Sequence, residues 1–242
     1  MPVIAVIPAR YDSSRFPGKP LAQATGKYLI QHVWEQVRRA ARIDQVLVAT
    51  DDERIRRACG EFGAQAVMTR RDHQSGTDRI AEVAAGIAAD IVVNVQGDEP
   101  EIDPAVIDKA VELLRRDQQA DLSTLCAPFG ADEAIDNPNV VKVVTGLNGR
   151  ALYFSRWPIP FNRDGQSAKT LYRKHLGLYA YRREALLRFA RLPASPLEKT
   201  EKLEQLRALE NGMTIVVGEV SHPAVGIDTP EQYAEFVKRS MM

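Results

Sequence analysis

Short unbroken apolar runs alternate along the first 130 residues with segments whose apolar positions return every three or four residues. Val3-Ile4-Ala5-Val6-Ile7 is such a run, closed by Pro8, and fits a central strand covered on both faces. Between Lys27 and Ala41 a helical stripe carries Ile30, Val33, Trp34 and Val37. A strand at Val46–Ala49 precedes a polar helix from about Asp52 to Phe62, and Ala66–Met68 is a short third strand. Ser75 and Thr77 signal the start of a helix carrying Ile80, Val83, Ala84 and Ile87. Ile91–Val95 is the clearest strand, and Asp103-Pro104 opens a helix with Val106, Ile107, Ala110, Val111 and Leu114 on one side.

Strands alternating with helices predict right-handed βαβ units and a Rossmann-like, mixed but mainly parallel sheet with helices on both faces. After about residue 130 the rhythm changes. Val140–Thr145 and Ala151–Phe154 flank Gly146-Leu147-Asn148-Gly149, a hairpin turn, and the Pro- and Gly-containing stretch from Trp157 to Thr170 reads as a loop. A strand at about Leu176–Tyr181, one helix from about Leu197 to Asn211, a strand at Thr214–Val217 and a helix opened by Thr229-Pro230 complete the pattern. Without a repeat or a linker, the expectation is one domain over 1–242, a nucleotide-binding half to about residue 130 and a second half for substrate and self-association.

Composition adds exclusions. Lys+Arg and Asp+Glu are both 32, so the formal net charge is +0 and a broad basic surface for nucleic acid is not expected. No apolar run is long enough to span a bilayer, and the start lacks a secretory pattern. Cys59 and Cys126 form no paired motif. These features fit a reduced, cytoplasmic protein.

Candidate chemistry begins where ligands of open α/β sheets collect, beyond the carboxyl ends of the strands. The loop after the first strand holds Arg10, Arg15 and Lys19, the hydroxyls of Ser13 and Ser14, and Gly18. Clustered cations suit a polyphosphate, although a solvated basic loop has the same composition. It is not a Walker A loop, because Gly18-Lys19 is followed by Pro20. Asp98 ends the clearest strand, either as a turn carboxylate or as a magnesium ligand. Asp228 reads on spacing as a helix cap, and one of Asp51 and Asp52 caps the helix behind them. Arg71, Gln74, Ser75 and Gly76 precede a helix N-terminus that can meet a base edge, or Ser75 simply caps it. His175 and Tyr179 share one face by strand periodicity, and Glu204 reads as solvated.

These blocks carry a family resemblance. Ile7-Pro8-Ala9-Arg10 with Ser13-Ser14-Arg15-Phe16-Pro17-Gly18-Lys19-Pro20-Leu21 resembles the signature loop of the sugar-acid cytidylyltransferases. Asp72–Arg79, Val93–Pro100, Asn137–Val144, Ala151–Arg156, His175–Tyr179, Pro196–Glu198 with Leu203–Arg207, and Gly226–Pro230 extend it in order over the chain. The specific resemblance is to the 3-deoxy-manno-octulosonate (Kdo) branch, with the nucleotide-diphospho-sugar transferase fold. It implies that CTP and Kdo, or a close 3-deoxy-2-ulosonic acid, yield the CMP-sugar and pyrophosphate for lipopolysaccharide synthesis. It implies Arg10, Lys19 and Asp98 as catalytic residues, and Asp98 and Asp228 as ligands of Mg2+. It places CTP on Pro8, Ala9, Arg10, Ser13, Arg15, Lys19, Arg71, Ser75, Gly76 and Gln96. The sugar falls to Arg156, His175, Tyr179, Glu204 and Gln205, and the assembly is expected to be a homodimer. Phe16 stands where the family usually has Leu, the Trp157–Tyr172 loop is short, and Glu198–Lys202 replaces a common His-Ile-Glu-Met segment. An 8-amino-Kdo or other sugar-acid substrate is therefore an alternative. A glycosyltransferase and a silent nucleotide binder are the remaining ones.

Overall fold

A computed structural model describes all residues except 13, 14, 164, 166–168, 222 and 242. The chain divides into two compact units, Met1–Asp108 with Ala224–Met242, and Lys109–Pro223. The C-terminal segment thus belongs with the first unit.

The first unit is built on a parallel sheet ordered β3-β2-β1-β4, with β1 Val3–Ala9, β2 Gln45–Thr50, β3 Gln65–Met68 and β4 Ile91–Asn94. Its helices are α1 Leu29–Val37, α2 Glu53–Glu61 and α3 Gly76–Ala85; α4 Pro104–Arg116 carries the unit boundary. Val3, Ala5, Val6 and Ile7 are wholly buried, as an unbroken apolar run in a parallel sheet requires. The strand runs past Pro8, where the sequence predicted its end. Pairing with β4 stops at Val6, whereas pairing with β2 continues through Pro8 to Ala9. Beyond Val6 the proline sits on an edge where its missing N–H costs no ladder bond. Asp52 caps α2 and Ser75 caps α3, each accepting a backbone N–H.

In the second unit, β5 Leu122–Pro128 lies between β8 Arg173–Arg182 and β9 Ile215–Glu219, antiparallel to the first and parallel to the second. The predicted hairpin is present as β6 Lys142–Thr145 and β7 Ala151–Ser155, and β6 meets β8 at Lys142 and Lys174. Among the described residues, β5 and the short helix α5 Arg183–Phe189 escaped the sequence pattern, as did the 3-10 turns at Lys19–Leu21 and Lys169–Leu171. The helix expected from Leu197 to Asn211 is two, α6 Pro196–Glu201 and α7 Glu204–Glu210. Lys202 between them is left-handed (φ 55°), and its N–H closes on the Glu198 carbonyl at 2.7 Å. The last helix, α8 Pro230–Ser240, returns to the first unit behind a Thr229–Gln232 capping box.

Candidate active site

The loop after β1 is anchored by its apolar residue. Phe16 packs on Tyr233 of α8 with ring centroids 5.6 Å apart, in a cluster with Leu29, Ile227 and Phe236. The Tyr233 hydroxyl also accepts the Ala24 N–H at 2.8 Å. Phe16 is therefore a packing residue, and it fixes the backbone from which the cations project. Gly18 takes φ 70°, and a Cβ there would lie 3.2 Å from the Tyr11 ring.

Opposite charges converge below this loop. The Lys19 ammonium donates to Asp98 Oδ2 at 2.8 Å and to the Ile227 carbonyl at 2.7 Å, and lies 3.7 Å from Asp228 Oδ1. Arg15 reaches the same Asp228 oxygen at 3.0 Å. The Ile227 N–H donates to the Asp98 carbonyl at 2.8 Å, which stitches the Gly226–Thr229 segment to the end of β4. Thr229, not Asp228, caps α8, so the Asp228 carboxylate is left to face the cations. Beside Asp98 in the chain, burial and the Asp98 charge push the Glu99 carboxyl up to about 8.

These groups line a pocket of about 350 Å³. Pro8, Ala9, Arg10, Arg15, Lys19, Ser75, Gly76, Gln96, Asp98 and Asp228 all border it, as do Asp12, Pro20, Gln74 and Gly97. A Cβ on Gly97 would fall 2.8 Å from the Pro8 carbonyl, so only glycine lets the two loops approach this closely. Ser75 accepts the Asp78 N–H at 3.2 Å, acting as a cap while its residue borders the pocket. Arg71 lies elsewhere: with Arg10, Tyr11, Asp12, Asp51, Asp52 and Arg54 it lines a neighbouring cavity of about 340 Å³. Ser13 lies outside the described residues. Asp12 was missed by sequence reasoning; its signal is the single carboxylate between Arg10 and Arg15.

The second unit gathers a different set. His175 Nε2 and the Thr124 hydroxyl are 2.9 Å apart, and the His175 ring lies 4.9 Å from Phe154 and 5.4 Å from Tyr179, centroid to centroid. Burial pushes the imidazole down to about 3, so it is neutral at physiological pH. Burial, together with Tyr181 and Glu204, pushes the Tyr179 hydroxyl well above its ordinary value. Glu204 opens α7, 3.7 Å from Arg207, and Gln205 is buried beside it. Arg156 has carbonyl partners of its own. Its guanidinium donates to the carbonyls of Glu201, Lys202 and Pro138 at 2.6, 3.3 and 2.8 Å. Two residues unmarked by the sequence organise this corner. Glu201 accepts from the Ser155 hydroxyl at 2.7 Å and the Arg156 N–H at 2.9 Å. Lys142, wholly buried, donates to the carbonyls of Asn137 (3.0 Å), Val140 (2.7 Å) and Arg156.

Among the described residues no group of three or more His, Cys, Asp or Glu side chains is placed to hold a metal, and no helix is long and apolar enough to cross a membrane. Both cysteines are free and buried.

Comparison with known proteins gives this pocket a context. The 3-deoxy-manno-octulosonate cytidylyltransferase of Geobacter sulfurreducens is 50% identical over 99% of each chain. That of Syntrophotalea carbinolica is 54% identical over 96% of this chain and 95% of its own. A solved structure of CMP:2-keto-3-deoxy-manno-octonic acid synthetase complexed with CTP matches with a TM-score of 0.95 and 44% identity, covering 100% of this chain and 99% of that one. A putative glucose-1-phosphate thymidylyltransferase from Bacillus anthracis, 16% identical with a TM-score of 0.68, shares the fold. The cytidylyltransferase family profile matches residues 4–215, and the chain belongs to that family.

Proposed function

We propose that this enzyme transfers the cytidylyl group of CTP to Kdo, giving CMP-Kdo and pyrophosphate, as an activation step for lipopolysaccharide synthesis in the cytoplasm. The observation that carries this reading is the convergence of Lys19, Arg15, Asp98 and Asp228 in one pocket, on a chain 50% identical to a named Kdo cytidylyltransferase over 99% of its length. In the reaction the anomeric hydroxyl of Kdo attacks the α-phosphorus in line. A new P–O bond forms, the bond from the α-phosphorus to the bridging oxygen breaks, pyrophosphate leaves with that electron pair, and the hydroxyl proton passes to solvent.

Such a transfer needs positioning and charge stabilisation more than a protein nucleophile. Arg10 and Lys19 lie in the pocket where negative charge would build on the α-phosphate and the leaving pyrophosphate. Arg15, on the exposed side, would meet the distal phosphates. Pro8, Ala9, Ser75, Gly76 and Gln96 would bound the nucleoside. In the second unit the neutral His175 and the protonated Tyr179 offer hydrogen bonds to sugar hydroxyls, joined by Glu204 and Gln205. Arg156 would meet the sugar carboxylate only through N–H groups left over from its three carbonyl bonds.

Asp98 and Asp228 fit a magnesium ion. Both approach one ammonium group, and two carboxylates with triphosphate oxygens and water are the hard-oxygen donor set that magnesium takes. When bound, magnesium would supply Lewis-acid neutralisation of the phosphate oxygens. Lys19 would then act as the protein's own cation between the two aspartates, holding their charges together. We also propose a homodimer.

Pyrophosphate release from CTP, assayed with magnesium and Kdo, tests the reading. Release with Kdo supports it, whereas release only with 8-amino-Kdo relocates the substrate, and no release with any sugar acid rejects it.

A further inference from the structure

Arg10 reaches the pocket by a flexible side chain, yet its guanidinium is not left to find its own direction. Nη2 donates to the His73 carbonyl at 2.6 Å. That carbonyl belongs to the loop before α3, and the buried His73 ring hydrogen-bonds through Nε2 to Glu82. Glu82 stands on α3 and turns its carboxylate back onto this loop. It also accepts the Arg70 N–H at 3.2 Å and lies 3.7 Å from Arg70 Nε. One carboxylate thereby fixes the loop at two residues, and the second of them, His73, presents its own carbonyl to Arg10.

We propose that Glu82 is a positioning residue for the cytidylyl transfer, locking His73 so that its carbonyl aims the Arg10 guanidinium at the triphosphate. This rests on the reading of Arg10 as a phosphate ligand. Glu82 is ionised in this role: burial opposes its charge, but the bonds from His73 and the Arg70 amide outweigh that and hold the carboxyl below its ordinary value. The rest of α3 does not need this contact to form, since its N-terminus is capped by Ser75 and its apolar face is buried through Ile80, Val83 and Ala84. Removing the carboxylate should therefore disturb the direction of Arg10 more than the helix.

A double-mutant cycle separates positioning from general support. With CTP and Kdo as substrates, Glu82→Ala is expected to lower kcat/KM for CTP by about tenfold while leaving KM for Kdo unmoved, a magnitude usual for a residue that orients a ligand-binding group. In an Arg10→Ala background the same change should cost less than about twofold, because the group it aims is gone. Glu82→Gln, which keeps an acceptor for the ring and the amide, should recover most of the loss. Should Glu82→Ala melt, His73→Phe carries the same comparison, filling the buried position without a nitrogen for Glu82. Equal losses with and without Arg10 would overturn the positioning role and leave Arg10 as a phosphate ligand. An Arg10→Ala enzyme with undiminished kcat/KM would reject the reading of Arg10 itself, and this inference with it.

Discussion

The two units build their candidate sites from opposite electrostatics. In the first, two cations and two carboxylates meet within 2.8 to 3.7 Å in an open pocket, each charge held by its neighbour. In the second, the imidazole of His175 is pushed down to about 3 and the hydroxyl of Tyr179 well above its ordinary range, so both are neutral. The buried cation there, Lys142, spends its donors on backbone carbonyls. A triphosphate is recognised by charge and a metal by carboxylates, whereas a polyhydroxylated sugar acid is sorted by hydrogen bonds and shape. On the proposed reading, the first unit would take the triphosphate and the second the sugar acid.

The largest effect should follow from breaking the charged cluster. Asp98→Ala or Lys19→Ala is expected to lower kcat by about a hundredfold or more, the usual cost of one charge-stabilising contact, with the melting temperature little changed. Steady-state kinetics and a melting curve check both halves of that statement. Lys142→Met should do the reverse, because it takes the ammonium donor from three part-buried carbonyls, of which, among the described residues, only that of Asn137 keeps another partner, the Val140 N–H. A loss of about 2 kcal/mol in folding stability is expected, measurable by urea unfolding.

The neutral site can be tested by pH. His175 has a folded pKa of about 3 against an ordinary 6.5, so it favours the native state above pH 6.5. That contribution is lost as pH falls from 6.5 through 3, because the unfolded chain takes up the proton first. Chemical denaturation across this range should give a shallower acid decline for His175→Gln than for the natural protein. The smallest effect belongs to Phe16→Leu. Its place is apolar packing against Tyr233, so about 1 kcal/mol of stability and less than about a twofold change in KM for CTP are expected.

How much of this was legible in the sequence depends on how local the cause was. β1 and β4 stand out because Val3–Ile7 and Ile91–Val93 are buried without interruption and so are unbroken apolar runs. β5 does not. Its Ser123 and Thr124 are buried, but their hydroxyls are satisfied by the Ala110 carbonyl at 2.6 Å and by His175 and the carbonyls of Leu176 and Leu178, far off in sequence. The break at Lys202 has no glycine or proline to announce it. The freed carbonyls of Glu201 and Lys202 are taken by Arg156, again a distant partner. In the site, the basic loop was visible as clustered charge, and the Asp51-Asp52 pair as a local cap motif, which the structure gives to Asp52. The pairing of Asp98 with Asp228 around Lys19 was not, since spacing favoured Asp228 as a cap and Thr229 takes that place. Only the family resemblance pointed to the pair.

Transfer of a cytidylyl group to Kdo is read out by pyrophosphate release with magnesium, offering CTP or UTP against Kdo, 8-amino-Kdo and N-acetylneuraminate. Release is expected with CTP and Kdo, and Asp98→Ala is expected to abolish it. Binding of CTP without release in the presence of any of these acids would contradict the transfer.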